Sequence, residues 1–321
     1  MFELVKCDSS EPWDSFVDAS PQQNVFSTTA FLTVLDVSYD TWFLTDEGKP
    51  VLGVLLIEPL REDFEAPHGF YPGLFFAPSS SHLHSETKYR LNAVEYLLTK
   101  LATIYSSLSF CLHPTVSDLR AIQWFNYHSP DQGQYVINLH YTGIIDMEAV
   151  ASFSDYLACI RKVRMQEYNK ASRNGFHIQL SYNLDVFRNL YIMTFDRQGI
   201  VIEESKIEKV VSIVRAAIEG GFGRLFLCCD STGKAASAAV FLFDRTSSYY
   251  MYGASDPFYR NTGASTFLLL ECFRHFYDLG LRKIDMVGIN SPNRGDFKTS
   301  FNSVPTPYFD ATWRRPVGNL G

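Results

Sequence analysis

The chain has 321 residues, 46% hydrophobic and 20% charged, enough to bury one large core or two medium ones. A net charge of −7 supplies no general field for DNA, other nucleic acid or anionic lipid, so an anionic ligand has to be met by a local basic cluster. No stretch approaches the roughly 18 uninterrupted apolar residues of a spanning helix. The N-terminal MFELVKCDSSEPWDSF has acids where a secretory signal needs an apolar run, so no integral membrane association and a cytoplasmic location are expected.

In the first half, residues 24–38 predict a short helix. The strands TWFLTD and PVLGVLLIEPL follow, joined by the turn Glu47-Gly48-Lys49. Segment 63–82, with Pro67, Gly69, Pro72, Gly73 and Pro78, reads as loop. A helix at 86–105, the strand FCLHP, another short helix and the strand YVINL complete this half. In the second half, Leu157, Ile160 and Val163 mark a helix over 154–173 that Asn174-Gly175 ends. Ile207, Val211, Val214 and Ile218 mark another over 203–219. RLFLCC, AASAAVFLF and SYYMYGAS are separated by turns short enough for an antiparallel meander. YRNTGAST leads into a helix over 264–279, followed by the strand KIDMVGI. The fold class is mixed α/β, with a linker near 141–150 dividing domains 1–145 and 146–321; a single continuous core is the alternative.

The 26 Phe and 18 Tyr serve core packing first, and an aromatic-walled cleft second. The six cysteines (Cys7, Cys111, Cys159, Cys228, Cys229, Cys272) form no CxxC, and the eight histidines form no HExxH. His84-Ser85-Glu86 lacks the CxxC that would complete a zinc site. No metal is expected.

Three segments could carry chemistry. Arg260-Asn-Thr-Gly263-Ala-Ser265 joins a strand to a helix, and small residues there let backbone N–H groups and the positive end of the helix dipole face a pyrophosphate. A turn followed by a Ser N-cap explains Gly263 and Ser265 equally well. Arg161, Arg164 and Tyr168 share one helix face and make either a clamp for phosphate or sugar, or a solvated basic face. Asn290–Phe301 forms a polar loop after a strand, a place where sites are built. Within it Lys298 stands between Phe297 and Phe301 as a fixed cation for a developing oxyanion, or as a surface lysine spread over the rings.

The order of meander, Arg-x-x-Gly-x-Ser, helix and strand resembles the GNAT acyltransferase core, whose Arg/Gln-x-x-Gly-x-Gly/Ala loop holds the pyrophosphate of acyl-CoA. More specifically the chain resembles the Fem-type branch, two GNAT-like units in tandem, through NVFSTTAFL, YTGIIDM, RKVRMQEYNKASRNGFHI, Met193–Gly199, YYMYGAS, FYDLGLRKIDMVGI and GDFKTSF. The resemblance implies that Arg164 and Tyr168 touch the acceptor's nucleotide-phosphate portion. Arg161, on the same face, and Arg197, in the matching Met193–Gly199 stretch, join them as substrate-binding residues. It places Tyr252 in the same cleft and Phe297-Lys298 on the donor side, with Lys298 and Tyr252 as catalytic residues and Arg260, Gly263, Ser265 and Phe297 as donor-binding ones. Ser265 departs from the family's Gly/Ala.

The expected function is an N-acyltransferase that moves an acyl group to an amine of a nucleotide-linked sugar or cell-envelope precursor. The arm of the larger bridge-forming enzymes is missing, with about 30 residues between Arg173 and Glu203, which favours acyl-CoA as co-substrate. An aminoacyl-tRNA-dependent peptidyltransferase of peptidoglycan bridge synthesis is the alternative donor reading. A non-catalytic ligand-binding module is the alternative of a different class. No general base is evident, and positioning supplies a large share of the barrier in such chemistry.

Overall fold

The computed structural model describes residues 1–57, 70–79 and 83–316. The chain divides into two compact units, Met1–Tyr141 with Pro307–Gly321, and Thr142–Thr306.

The first unit runs β1 (Phe2–Lys6), α1 (Ser10–Ala19), α2 (Thr29–Leu35), β2 (Tyr39–Asp46), β3 (Lys49–Ile57), β4 (Leu74–Phe76), α3 (Leu83–Ile104), β5 (Ser107–Leu112), α4 (Arg120–Gln123) and the start of β6 (Val136–Asp146). Strands β1 to β4 pair in sequence order and antiparallel. Trp13, Phe43, Leu55 and Phe75 pack on one side of this sheet, and Leu44, Leu52, Val54, Leu97 and Leu101 on the other. Thr28 caps α2 by accepting from the Phe31 amide, and Asp36 ends it in the left-handed region. The helix expected over 24–38 is shorter for that reason. The reading missed β1, α1 and β4; half of the expected 63–82 loop (63–69 and 80–82), and the end of the strand expected over 50–60, lie outside the described residues.

The second unit continues with α5 (Phe153–Cys159), α6 (Lys162–Arg173), β7 (His177–Ser181), α7 (Leu184–Asp196), α8 (Glu204–Glu219), β8 (Gly223–Cys229), β9 (Ala235–Phe243), β10 (Ser247–Ser255), α9 (Ala264–Asp278), β11 (Lys283–Asp285), α10 (Pro292–Thr299) and the start of β12 (Val304–Arg314). From Pro307 onward the chain belongs to the first unit, where Phe309–Arg314 pair with β5. Strands β7, β8, β9 and β10 form the antiparallel meander, β10 then pairs parallel with β11, and β11 pairs antiparallel with β6. Both faces of this sheet are covered. Along β8, Phe226 and Cys228 join the core under α9, while Leu225, Leu227 and Cys229 join the core under α7 and α8. That two-sided burial makes RLFLCC a continuous apolar run instead of an alternating one.

Three departures from the sequence reading shape the site. The helix expected over 154–173 is broken at Ile160 and Arg161, both extended in ψ; the Arg161 amide donates to the Ser300 carbonyl (3.0 Å) instead of continuing the helix. The strand KIDMVGI stops at Asp285, because Val287 and Gly288 turn into positive φ. Asn290–Phe301 is not a loop but contains α10, with Pro292 at its first position, where a missing N–H costs nothing.

Candidate active site

Strand β10 pairs with β11 over only three residues, Ser247 to Tyr249 against Lys283 to Asp285, and then runs on to Ser255 paired with β9 on its other edge. Where the strands part, a cleft of about 350 Å³ opens in the second unit. Its walls come from β10 (Tyr250, Gly253), the start of α9 (Gly263, Ser265, Thr266), α6 (Arg164, Glu167) and α10 (Phe297).

Gly263 is the N-cap of α9, with φ +85 and no side chain of its own to cap the helix, and the Ala264 amide donates to Thr262 Oγ1 (3.2 Å). A Cβ at Gly263 would overlap the Glu167 carbonyl oxygen and stand 2.9 Å from its carbonyl carbon, so the close approach of α6 to this helix start requires glycine. Ser265 lies inside the first turn, beyond the cap, and lines the cleft; the alternative of a turn with a Ser N-cap does not describe this end. The first turn therefore leaves backbone N–H groups and the positive end of the helix dipole facing the cavity. Arg260, exposed at the end of the short 3₁₀ turn 257–259, stands on the same rim.

Arg164 enters from α6, beside the start of α9. Its guanidinium lies 4.9 Å from the centre of the Phe297 ring, and its Nη1 donates to Glu167 Oε2 (2.6 Å) and Thr266 Oγ1 (3.3 Å). Its Nε is buried with no hydrogen-bond partner among the described residues. Arg197, at the end of α7, adds a third guanidinium. Against these three, Glu167 is the one carboxylate among the described lining residues, so the cleft is cationic in an acidic chain.

Arg164, Arg197, Arg260, Gly263, Ser265 and Phe297 thus come together, and the other four residues singled out in the sequence do not line this cleft. Arg161 pairs on the surface with Asp296 (2.7 Å). Tyr168 stacks on Phe267, donates its hydroxyl to Glu271 and accepts from Arg274 Nη2 (3.2 Å), which pins α6 to the flank of α9. Tyr252 packs among Phe187 and Tyr191 under α7, and burial raises its phenol's pKa. Lys298 is neither an open cation nor a surface residue. It is 8% exposed, and its ammonium donates to the carbonyls of Met286 (2.5 Å), Val287 and Gly288 (3.1 Å). With three donors on three carbonyls, no N–H is left to meet an oxyanion. Burial, and then the neighbouring Arg294 charge, lower its pKa to about 8.

The cleft tyrosine is Tyr250. The β10 register slips between Tyr250, opposite Phe241, and Tyr252, opposite Val240. This bulge at Met251 sends two residues that strict alternation would put on one face to opposite faces. The Tyr250 hydroxyl lies over Gly253, where a Cβ would overlap it. Burial raises this phenol's pKa as well. Glu167 and Thr266 were also missed; in sequence they read as a surface acid and an ordinary helix residue.

Among the described residues no group of three or more His, Cys, Asp or Glu side chains is placed to hold a metal ion, and no helix is long and apolar enough to cross a membrane.

Residues 176–299 match the acetyltransferase (GNAT) domain family. This stretch holds the meander, the Arg260–Ser265 loop, α9 and α10. Over its whole length the fold is the tandem, Fem-type one. The crystal structure of FemX is 14% identical, with a TM-score of 0.70 over 96% of each chain. A tandem GNAT protein from the clavulanic acid biosynthesis pathway is 10% identical, with a TM-score of 0.53 over 100% of both chains. L-PGS from Bacillus licheniformis is 11% identical, with a TM-score of 0.52 over 99% of this chain and 95% of that one. No curated protein sequence matches the chain.

Proposed function

We propose that the protein is an N-acyltransferase that takes its acyl group from acyl-CoA and delivers it to an amine of a nucleotide-linked sugar or a cell-envelope precursor. The observation that carries this reading is the start of α9 on the cleft, with Gly263 where any Cβ would collide and Arg260 on the rim. Such an end suits a pyrophosphate, and the parting of β10 and β11 beside it leaves an extended path for the rest of the donor. The GNAT match over the same residues supports the choice of a CoA thioester.

The donor supplies the activated carbonyl carbon, and the residues around it hold and orient. Backbone N–H groups of Ser265 and Thr266 with Arg260 take the pyrophosphate. Tyr250 lines the cleft from β10, just past the residues that pair with β11. Arg164 and Arg197 face what remains of the cavity and suit the anionic part of the acceptor. A pre-formed cavity of this kind contributes chiefly by bringing amine and carbonyl together.

Titration calorimetry with acetyl-CoA tests the reading. Binding is expected in the micromolar range, weakened at least tenfold by Arg260→Ala, the loss of one charge-assisted phosphate contact. No heat with any CoA ester at millimolar concentration would reject the CoA donor and favour aminoacyl-tRNA.

A further inference from the structure

We propose that Glu167 is the docking carboxylate for the acceptor's protonated primary amine. The proposal rests on the N-acyltransferase reading and names the charge pattern of its acceptor: a cationic amine on a molecule whose anionic part reaches the arginines.

The side chain is held in an unusual way for a surface acid. Its Oε2 accepts from Arg164 Nη1 (2.6 Å) and from the hydroxyl of Thr266 (2.5 Å), and Thr266 is buried. Its backbone is fixed too, since its carbonyl rests against Gly263. Both anchors leave Oε1 without a described hydrogen-bond partner, in a side chain 34% exposed toward the cleft. One oxygen is clamped and the other is presented.

Electrostatics then select the guest. Three guanidiniums line the cleft, and an anionic group has several places to go, but a cation has one. A carboxylate there also repels a misplaced phosphate, so it orders a two-charge acceptor end for end. Phosphate or carboxylate goes toward Arg164 and Arg197, and the amine goes toward Glu167. Arg164 links the two ends, because it touches Glu167 itself. Attack requires a neutral amine: the ammonium proton leaves to water, the N–C bond forms at the thioester carbonyl, and the C–S bond breaks to release CoA, whose thiolate takes the second proton from the new amide nitrogen by way of water.

The competing role is purely architectural, an ion pair that steadies Arg164. Matched ligand pairs separate the two. UDP-glucosamine with UDP-glucose, and the dipeptide Ala-Lys with Ala-norleucine, differ within each pair by the presence of an amine. Affinities are measured by calorimetry or saturation-transfer NMR on wild type and Glu167→Gln, with acetyl-CoA titrated into both. Gln keeps the size and an acceptor for Thr266 and removes the charge. The expected result is a preference of at least about tenfold for one amine over its neutral partner in wild type, abolished by the substitution, with acetyl-CoA affinity kept. An architectural role would shift both members of a pair together. No preference in wild type, or a preference that survives Glu167→Gln, overturns the proposal. Absence of acetyl-CoA binding with the amine preference intact would overturn the donor assignment and leave this one standing.

Discussion

Gly263 and Glu167 meet backbone to backbone: the left-handed N-cap of α9 lies against the Glu167 carbonyl of α6, with no room for a side chain between them. Neighbouring contacts hold the two segments there, for Lys170 Nζ donates to the Asn261 carbonyl (2.8 Å) and Thr266 donates to the Glu167 carboxylate. One glycine therefore sets both the helix start that faces the cleft and the place of the one carboxylate among its described lining residues.

Gly263→Ala should cost on the order of 3 kcal/mol, from an L-residue at φ +85 and from a Cβ driven into rigid backbone. Urea unfolding measures that cost, and acetyl-CoA titration the loss of donor binding expected as α6 and α9 are forced apart. A variant with unchanged stability and normal donor binding would show that α6 and α9 do not meet in this way.

Tyr250 and Gly253 make a second coupled pair. Gly253→Ala pushes a methyl into the Tyr250 hydroxyl, so the ring must leave its place in the cleft, and turnover should fall tenfold or more. Adding Tyr250→Phe removes the clashing oxygen, although the new methyl still stands 2.9 Å from the ring carbon that carried it. The double variant should recover part of the stability lost by Gly253→Ala. Strict additivity in the double-mutant cycle would refute the contact.

Arg164 and Tyr168 occupy one helix yet should behave differently. Arg164→Ala removes a guanidinium from the cleft wall and frees the Glu167 carboxylate, so acceptor affinity should drop about tenfold or more. Tyr168→Phe loses the hydroxyl's contacts to Glu271 and Arg274, and should lower stability by about 1 to 2 kcal/mol with both ligands bound normally. Equal losses of acceptor binding in both variants would return Tyr168 to the site.

The contrast shows what the sequence could carry. Helical spacing placed α8 and α9 closely, because each buries one apolar stripe, and short Asp/Gly turns gave the meander. Spacing also put Arg161, Arg164 and Tyr168 on one face, but the chain breaks at Ile160 and Arg161 through a bond to Ser300, a residue far along the sequence. The resemblance implied Tyr252 in the cleft, whereas a one-residue bulge brings Tyr250 there, and no local pattern in SYYMYGAS marks it. β12 escaped notice because Val304–Arg314 alternates weakly and carries two prolines. Lys298 was drawn to attention by its aromatic neighbours, while its actual partners are carbonyls, which every residue has.

Those carbonyls define the expected behaviour of Lys298. The ammonium ties down Met286, Val287 and Gly288 just where β11 ends, so it shapes the far side of the parted strands without entering the cleft. Lys298→Met leaves three buried carbonyls short of a donor, at about 1 to 3 kcal/mol each where water cannot replace it. Stability should fall steeply at pH 7, and Lys298→Arg should rescue poorly because a planar fork cannot serve three converging carbonyls. Turnover should fall only as far as the loop loosens, with KM and kcat both affected; an isolated collapse of kcat at wild-type stability would restore the oxyanion role. The pH dependence gives a second check. Burial lowers this pKa from 10.5 to about 8, so between those values the unfolded chain binds more protons than the folded one, and stability rises with pH. Below pH 8 both states are protonated and the contribution is flat; across the window it amounts to roughly 3 kcal/mol. Urea unfolding from pH 7 to 10 should therefore show the stability gap between wild type and Lys298→Met widening above pH 8. A gap that stays constant over that range would mean that burial does not lower this pKa in the folded protein.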